Sequence, residues 1–252
     1  MHRLQEHLDY DSDCSVLYSD IGKGFYTSLG WAIYPSQQVT LYRPTTRSSR
    51  GTLRAPFEHS QPQRIRYIES EELRGLCLLD ETQLTRRFNQ FPTDGRTHVA
   101  FLPTFAQMSW HLVQVDFMAE KLQGMTPSNK GVVTDDGGSW ACWKHDWNDK
   151  TLKVLRIAHM NETTVEQRVD NIKVLLEAAL VEASRWQLPN VVIWNPNEEM
   201  TPGSKAVGNA HPENVMVIFS ERMDTRLPGF RWAGGKDARL TVWEDNYAYS
   251  WC

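Results

Sequence analysis

Tyr26 is one residue whose type could do acid–base chemistry. It lies in the sequence Phe-Tyr-Thr-Ser-Leu-Gly, residues 25–30. A phenol has a reference pKa of about 10 and can donate a proton to a leaving group. The alternative is structural, because Phe25, Tyr26 and Leu29 are also spaced like core residues of an amphipathic helix. The motif is short, so the elements around it must decide between the two interpretations.

Histidines form a second class of candidates, because imidazole titrates near neutral pH. His111 lies in a predicted helix and either lines an amine pocket or packs inside the fold. His145 and Asp146 are adjacent on a predicted strand and point to opposite faces, so they cannot form an oriented pair, and we expect both at the surface. His159 and Glu162 lie on a predicted turn with no second histidine at ligand spacing, so the sequence implies no metal.

Several common chemistries have no signature in this chain. It contains neither His-Glu-x-x-His nor Gly-x-Ser-x-Gly, the usual hydrolase motifs. Its four cysteines include no Cys-x-x-Cys pair, so we interpret all of them as free thiols in a reducing compartment. The net charge of -4 gives no basic field for nucleic acid or a membrane surface. Without a leader or an apolar span, we expect a cytoplasmic protein.

Aromatic and basic clusters allow two interpretations each. An aromatic box around an alkylammonium group is one use for the tryptophans, although a sheet core explains most of them: Trp31, Trp140, Trp143, Trp147, Trp194, Trp232, Trp243 and Trp251. RNA contact is one use for four nearby arginines, although solvated linker charge is the commoner explanation. These are Arg43, Arg47, Arg50 and Arg54.

The first part of the chain must position Tyr26. Residues 1–9 predict a short helix, Cys14 to Tyr18 a buried strand, and Gly22 to Leu29 a helix that Gly30 ends. Trp31 to Tyr34 and Val39 to Tyr42 predict paired strands. Residues 43–63 are rich in Pro, Ser, Thr and Arg and predict a linker.

The second part predicts an α+β domain over residues 64–252. Its helices are expected at residues 71–79, 82–91 and 105–122, with Asp80 as the N-cap of the second. An antiparallel meander follows at residues 132–133, 139–147 and 152–158. Thr163 to Glu166 is a capping box that opens a long helix running up to Pro189. A strand over 191–194 and a closing hairpin, 239–244 with 247–251, complete the prediction.

The segment from Ser15 to Pro35, with Leu-Tyr-Ser-Asp-Ile-Gly-Lys and Phe-Tyr-x-x-x-Gly-Trp, resembles the last conserved segment of Gcn5-related N-acetyltransferases. Together with the linker, Lys130-Gly131 and the tryptophan-rich sheet, nearly the whole chain is similar to the fungal lysine N6-acetyltransferases of lysine catabolism. The meander, long helix and strand of the second part follow the order of an acetyltransferase core. By this analogy the second part is a degenerate copy of that core.

The resemblance implies specific roles. Tyr26 would lie near the thioester sulfur of acetyl-CoA and protonate the departing thiolate, whose conjugate acid has a reference pKa near 8.5. Ser19, which stands where many members have asparagine, would contact acetyl-CoA together with Gly22 and Phe25. The acceptor would be lysine or a related small amine. Residues 1–42 would then be the carboxy-terminal remnant of the acetyltransferase core.

One departure from the family counts against activity. The loop (Gln/Arg)-x-x-Gly-x-(Gly/Ala), whose amides bind the CoA pyrophosphate at a helix N-terminus, has no counterpart before His2. Arg231 to Lys236 imitates it, but Lys236 stands where Gly or Ala is needed, which favours a turn. The alternative is therefore a non-catalytic fragment or a protein-interaction module.

That alternative carries a structural expectation. Val16, Leu17, Trp31 and Ile33 would lack a sheet partner and expose apolar surface, and we expect self-association through that surface.

Overall fold

The computed structural model describes residues 12–43, 64–233 and 237–251. The predicted helix over 1–9, most of the linker, the glycines and lysine of the Arg231 to Lys236 segment, and Cys252 lie outside these ranges. Within the described residues, none of the helices has the length and apolar character that crossing a membrane requires. Cys14, Cys77 and Cys142 carry free thiols.

The described residues form a mixed α+β fold, as predicted. The strands are β1 (Cys14–Ser19), β2 (Ala32–Ile33), β3 (Gln37–Tyr42), β4 (Ile65–Tyr67), β5 (Thr97–Val99), β6 (Gly131–Thr134), β7 (Ser139–Asp146), β8 (Thr151–His159), β9 (Asn190–Trp194), β10 (Met216–Glu221), β11 (Leu227–Trp232) and β12 (Thr241–Trp243). The α-helices are α1 (Lys23–Thr27), α2 (Ser70–Phe88), α3 (Phe105–Gln123), α4 (Val165–Arg185) and α5 (Met200–Ala210). Short 3₁₀ turns span Ala238–Leu240 and Ala248–Ser250.

The main sheet has seven strands in the order β10-β3-β9-β8-β7-β6-β4. The predicted meander is confirmed, because β6, β7 and β8 pair antiparallel. The long helix α4 is confirmed too, and it connects β8 to the parallel strand β9 as a crossover. Its N-cap is Thr164, whose hydroxyl accepts a hydrogen bond from Gln167 N, one residue later than the predicted box. All eight residues of β7 are buried, because helices α3 and α4 both pack against this strand.

Two similar strand–helix–strand units are present, β1-α1-β2 and β9-α5-β10. In each unit a third strand lies between the first and the last and is antiparallel to both. That strand is β11 in the first unit and β3 in the second. Strand β3 follows β2 of the first unit along the chain but lies in the second unit. Strand β11 follows β10 of the second unit but lies in the first. The two units are therefore joined by an exchange of strands.

Ser36 and Arg222 mark the point where the exchanged strands cross. Ser36 Oγ donates to the carbonyl of Arg222 at 2.8 Å, and Arg222 N donates to the carbonyl of Ser36 at 2.9 Å. Ser36 is fully buried, so this crossing is part of the core. The prediction that residues 31–34 pair with 39–42 is wrong, because β2 and β3 turn into different sheets at this point.

The prediction of an exposed sheet surface is also wrong. Val16 and Leu17 on β1 pair with Phe230 and Gly229 on β11, and Ile33 pairs with Gly229 from the other side. Trp31 is 7% exposed. The reason to expect self-association through this surface therefore disappears. The division of the chain into two domains by a linker at residues 43–63 stays a prediction. Strands from before and after this segment pair in the same sheets.

The two helices predicted around Asp80 form one helix, α2. Asp80 is not an N-cap. It is 3% exposed, and both its carboxylate oxygens accept hydrogen bonds from Arg156 at 2.7 Å. No glycine or proline interrupts residues 76–88, so the helix continues through this position.

The predicted closing hairpin is wrong. β12 pairs parallel with β5, and residues 248–250 form a 3₁₀ turn. Asp245, in a left-handed conformation with φ of 47°, bonds Arg156 and Arg87, which turns the chain toward β8. Sequence reasoning also missed α5, β4, β5, β10 and β11, all short or with no clear period.

Candidate active site

The turn between β1 and α1 is held by local hydrogen bonds and by a glycine conformation. Ser19, the last residue of β1, is 2% exposed, and its Oγ accepts a hydrogen bond from Ile21 N at 3.1 Å. Gly22 has φ 76° and ψ 176°, a region that only glycine visits readily. A methyl group at Gly22 would meet only Asp224 Oδ1, at 4.0 Å. The turn is therefore fixed but leaves open space beside its backbone.

Tyr26 sits on α1 between two aromatic rings. Its ring is 5.1 Å from Phe25 and 5.8 Å from Trp31, both edge to face. Its carbonyl accepts hydrogen bonds from Leu29 N and Trp31 N and so ends the helix. The Tyr26 side chain is half-buried, and among the described residues its hydroxyl has no hydrogen-bond partner. A donor proton is therefore free for a ligand.

The alternative interpretation, in which Phe25, Tyr26 and Leu29 are core residues of an amphipathic helix, is wrong. Phe25 is 45% exposed, and α1 contains no buried residue. A core helix would hide both side chains, whereas here the ring of Phe25 is accessible and that of Tyr26 is half-buried.

The connection between β10 and β11 holds the turn from outside. Arg226 N donates to Asp20 Oδ1 at 2.8 Å, and Lys23 Nζ pairs with Glu221 at 2.7 Å. Because the ion pair of Lys23 with Glu221 is well exposed, it contributes little to stability. The pairing of Ser19 with Leu227 places the end of β1 beside this connection. The site of Tyr26 is thus built from residues about 200 positions apart.

Behind β1, an aromatic and amide cluster joins the two strand–helix–strand units. The Tyr18 ring lies 6.3 Å from Trp194 on β9 and 5.9 Å from Trp243. Its hydroxyl donates to Asn246 Oδ1 at 2.9 Å. Asn195 Nδ2 donates to the Asn246 carbonyl at 2.5 Å. β1 and β9 therefore meet directly through the rings of Tyr18 and Trp194 and indirectly through Asn246.

Trp194 and Trp251 are surrounded by cations of the protein itself. Arg222 lies 4.0 Å from the centre of the Trp194 ring, Lys144 4.3 Å from Trp251, and Arg226 4.6 Å from Trp251. Lys153 lies 5.0 Å from both rings. These two indoles are therefore not a box for an external alkylammonium group. Trp140 and Trp143 are sheet core with no exposed surface.

The comparison that decides the family covers most of the chain. Residues 53–252 match the family described as the LYC1 GNAT-like C-terminal domain. The chain belongs to this family. The match includes every element from β4 onward.

Two curated relatives are similar to this LYC1 GNAT-like chain over most of its length. An uncharacterized protein of Saccharomyces cerevisiae is 26% identical over 93% of this chain and 58% of its own length. A lysine acetyltransferase of Yarrowia lipolytica is 21% identical over 73% of this chain and 49% of its own. The chain thus spans about half the length of these curated relatives.

Two solved structures are similar at low identity. The Gcn5-related N-acetyltransferase of Sphaerobacter thermophilus is 12% identical, with a TM-score of 0.48 over 96% of this chain and 68% of that one. The enzyme of the same class from Kribbella flavida is 11% identical, with a TM-score of 0.37 over 91% and 46%.

In this LYC1 GNAT-like chain, His111 is a packed helix residue. It is 1% exposed, and its Nε2 lies 3.0 Å from the carbonyl of Tyr249, to which it donates. Burial lowers the pKa of His111 to about 4. A neutral, enclosed imidazole at pH 7 has no access to an amine, so the packed interpretation is confirmed.

The expectation that His145 and Asp146 lie at the surface is wrong. They are 2% and 9% exposed. Their side chains do point apart, since His145 Nε2 is 3.1 Å from Glu182 on α4, whereas Asp146 bonds Lys153 at 2.8 Å. Strand β7 is covered on both faces, and its mixed sequence gave no sign of that.

His159 belongs to a hydrogen-bond chain that resembles a catalytic triad but lacks access. Its Nδ1 is 2.7 Å from Ser139 Oγ, and its Nε2 is 3.5 Å from Glu199. Asn171 Nδ2 also donates to Ser139 Oγ. Ser139 is 1% exposed and cannot reach a substrate. Within the described residues, no group of three or more His, Cys, Asp or Glu side chains is arranged to hold a metal.

A cavity of about 650 Å³ opens where β8 and β9 diverge. Its arginines are mostly paired with carboxylates: Arg156 with Asp80 and Asp245, Arg168 with Glu199, and Arg87 with Asp245. Because these charges neutralise one another, the cavity offers little net attraction to a charged ligand.

Proposed function

We propose that this chain is part of a cytoplasmic N-acetyltransferase that transfers the acetyl group of acetyl-CoA to the ε-amine of lysine, in lysine catabolism. The observation that carries the proposal is the half-buried Tyr26, whose hydroxyl has no partner among the described residues, on a turn with open space at Gly22. Membership of the LYC1 GNAT-like family and the Yarrowia relative named a lysine acetyltransferase support it.

The residues of the turn fit this substrate. Ser19 Oγ accepts from Ile21 N, and Ser19 is 2% exposed, so its part in the proposal is to hold the turn that contacts acetyl-CoA. Gly22 lets a ligand approach the backbone closely. Phe25 offers an exposed apolar face of the kind that packs against a thioester arm.

Tyr26 acts as the acid in this proposal. The neutral amine of lysine attacks the thioester carbon to give a tetrahedral intermediate. As the carbon–sulfur bond breaks, the phenol gives its proton to the sulfur, and the nitrogen loses its extra proton to the phenolate, directly or through solvent, which leaves a neutral amide, a free thiol and the restored phenol. The ammonium of lysine, with a reference pKa near 10.4, must first lose a proton. None of His111, His145 and His159 fits that role, because His111 and His145 are enclosed and all three are already hydrogen-bonded.

Titration of acetyl-CoA into the purified protein, followed by calorimetry, tests the binding part. We expect saturable binding that weakens about tenfold in Phe25→Ala. Phe117→Ala is the matched control, because Phe117 is 59% exposed on α3. A folded protein that does not bind acetyl-CoA would support the non-catalytic alternative, and equal affinity in both variants would show that Phe25 is not part of the site.

A further inference from the structure

A small cavity lies between the end of β7, helix α3 and the connection of β10 to β11. Its volume is about 90 Å³. Apolar side chains Val115 and Met118 form one wall and the indole of Trp251 another, while Lys144 and Arg226 line it as cations. We propose that this cavity binds a small carboxylate anion, held by Lys144 and Arg226. The proposal does not depend on the acetyltransferase assignment.

Lys144 is the first reason. It is 4% exposed, and among the described residues its ammonium makes no ion pair and no hydrogen bond. The Trp251 ring lies 4.3 Å from it, and the Asp146 carboxylate, which also lines the cavity, attracts it from beyond ion-pair distance. A buried ammonium without a partner is unfavourable, and an anion in the cavity would provide the missing partner.

The local charge balance is the second reason. Lys153 bonds Asp146 at 2.8 Å, and Arg226 forms an ion pair with Asp149. Three cations thus face two carboxylates, and the charge of Lys144 is left over. A single negative charge would balance the cavity.

The groups surrounding this cluster do not change that balance. The Asp20 carboxylate accepts from Arg226 N, and Arg222 lies over Trp194, so the surroundings add one charge of each sign. His145 has its pKa lowered by burial and is neutral, and its partner Glu182 also contacts Arg185 at 3.4 Å.

Size and shape favour a carboxylate over a larger anion. Sites for whole metabolites usually enclose about 300–1,000 Å³, so this cavity suits one carboxylate with a short apolar group. Arginine and lysine together match the two oxygens of a carboxylate. Trp147 Nε1 is buried without a partner among the described residues and is a further donor beside the cavity.

Burial, together with the neighbouring Lys153, lowers the pKa of Lys144 to about 8. A bound anion stabilises the charged form, so acetate should raise this pKa. Nitrogen-detected NMR of the lysine ammonium groups measures it in the unmodified protein, whatever the stability of any variant.

Calorimetry at constant ionic strength tests the proposal with three probes: acetate, its neutral isostere acetamide, and inorganic phosphate. We expect acetate to saturate, acetamide not to bind, and phosphate to bind at least about tenfold more weakly than acetate. Lys144→Met should weaken acetate binding at least about tenfold, whereas Lys121→Met, at an exposed position on α3, should not change it.

Three outcomes would overturn the proposal. These are acetate binding that does not saturate, acetate binding that is equal in Lys144→Met and Lys121→Met, and a pKa of Lys144 that does not move in acetate. Phosphate binding as tight as acetate would overturn the assignment to a carboxylate.

Discussion

The hydroxyl of Tyr18 donates a hydrogen bond of 2.9 Å to Oδ1 of Asn246, which is 228 positions away. Tyr18 is the residue before Ser19, so this bond ties the strand that leads into the Tyr26 turn to the last part of the chain. Asn246 is 6% exposed, and its carbonyl is held by Asn195 of the other unit. The candidate site therefore depends on contacts between the two strand–helix–strand units.

A double-mutant cycle of Tyr18→Phe and Asn246→Ala measures this bond. Each single change removes one partner of this hydrogen bond, and we expect each to cost about 1–3 kcal/mol in the free energy of unfolding. The double variant should cost less than the sum by about 0.5–1.5 kcal/mol. Chemical denaturation provides the values, and strictly additive losses would show that the bond does not form.

Two glycines of the Tyr26 turn should respond in opposite directions to the same substitution. Gly22→Ala should destabilise the protein by about 1–3 kcal/mol, because alanine is strained at φ 76° and ψ 176°. Gly24→Ala lies within α1 with nothing within 4 Å of the new methyl group, and should stabilise by about 0.5–1 kcal/mol. Thermal melts compare them. Equal shifts of Tm would contradict the backbone geometry described for the turn.

Arg156 links α2, β8 and the segment after β12. Arg156→Met should cost about 3–5 kcal/mol, because it leaves the buried carboxylates of Asp80 and Asp245 without a cation. Burial alone would raise the pKa of Asp245, but Arg156 and Arg87 hold it below its usual value. Urea unfolding provides the comparison.

Arg74→Met is the matched control for that change. Arg74 and its partner Glu71 are 60% and 89% exposed, so we expect a loss below about 1 kcal/mol. If the two variants lost similar stability, the buried ion pairs of Arg156 would not have the importance that their geometry indicates.

The pKa of His111 predicts a pH dependence of stability. Burial lowers it to about 4 from a reference near 6.5, so between these values the unfolded chain binds a proton that the folded protein does not. Stability should therefore fall as the pH drops from about 6.5 toward 4, by up to about 1.4 kcal/mol per pH unit from this residue.

His111→Gln keeps a donor for the Tyr249 carbonyl but cannot be protonated. Denaturation at pH 7 and pH 5 should therefore show a smaller loss of stability in the variant than in the wild-type protein. The same loss in both proteins would mean that His111 titrates normally in the folded state.

Local sequence patterns predicted several elements correctly. The apolar residues at helical spacing from Val165 to Trp186 were sufficient to predict α4, because the same amphipathic face repeats over many turns. The alternation and turn signals of residues 131–159 were sufficient for the meander. Strand β1 and helix α1 followed from the apolar run before Ser19 and from Gly30.

Long-range pairing could not be predicted in the same way. Nothing near β2 or β3 indicates that the chain changes sheets at Ser36, since its partner there is Arg222, 186 positions away. Asp80 has the sequence signature of an N-cap, yet a buried arginine from β8 determines its role. His145 and Asp146 were expected at the surface because nothing near them in sequence indicates their partners, which are Glu182 on α4 and Lys153 on β8.

The central claim is that Tyr26 donates the proton to the leaving thiolate. Steady-state acetylation of L-lysine by the purified protein, with Tyr26→Phe and the matched control Tyr67→Phe on β4, tests it most directly. The account predicts that Tyr26→Phe lowers kcat by about 10²-fold or more with little change in the KM for acetyl-CoA, and that Tyr67→Phe behaves like the wild-type protein. A Tyr26→Phe variant with wild-type kcat would contradict it.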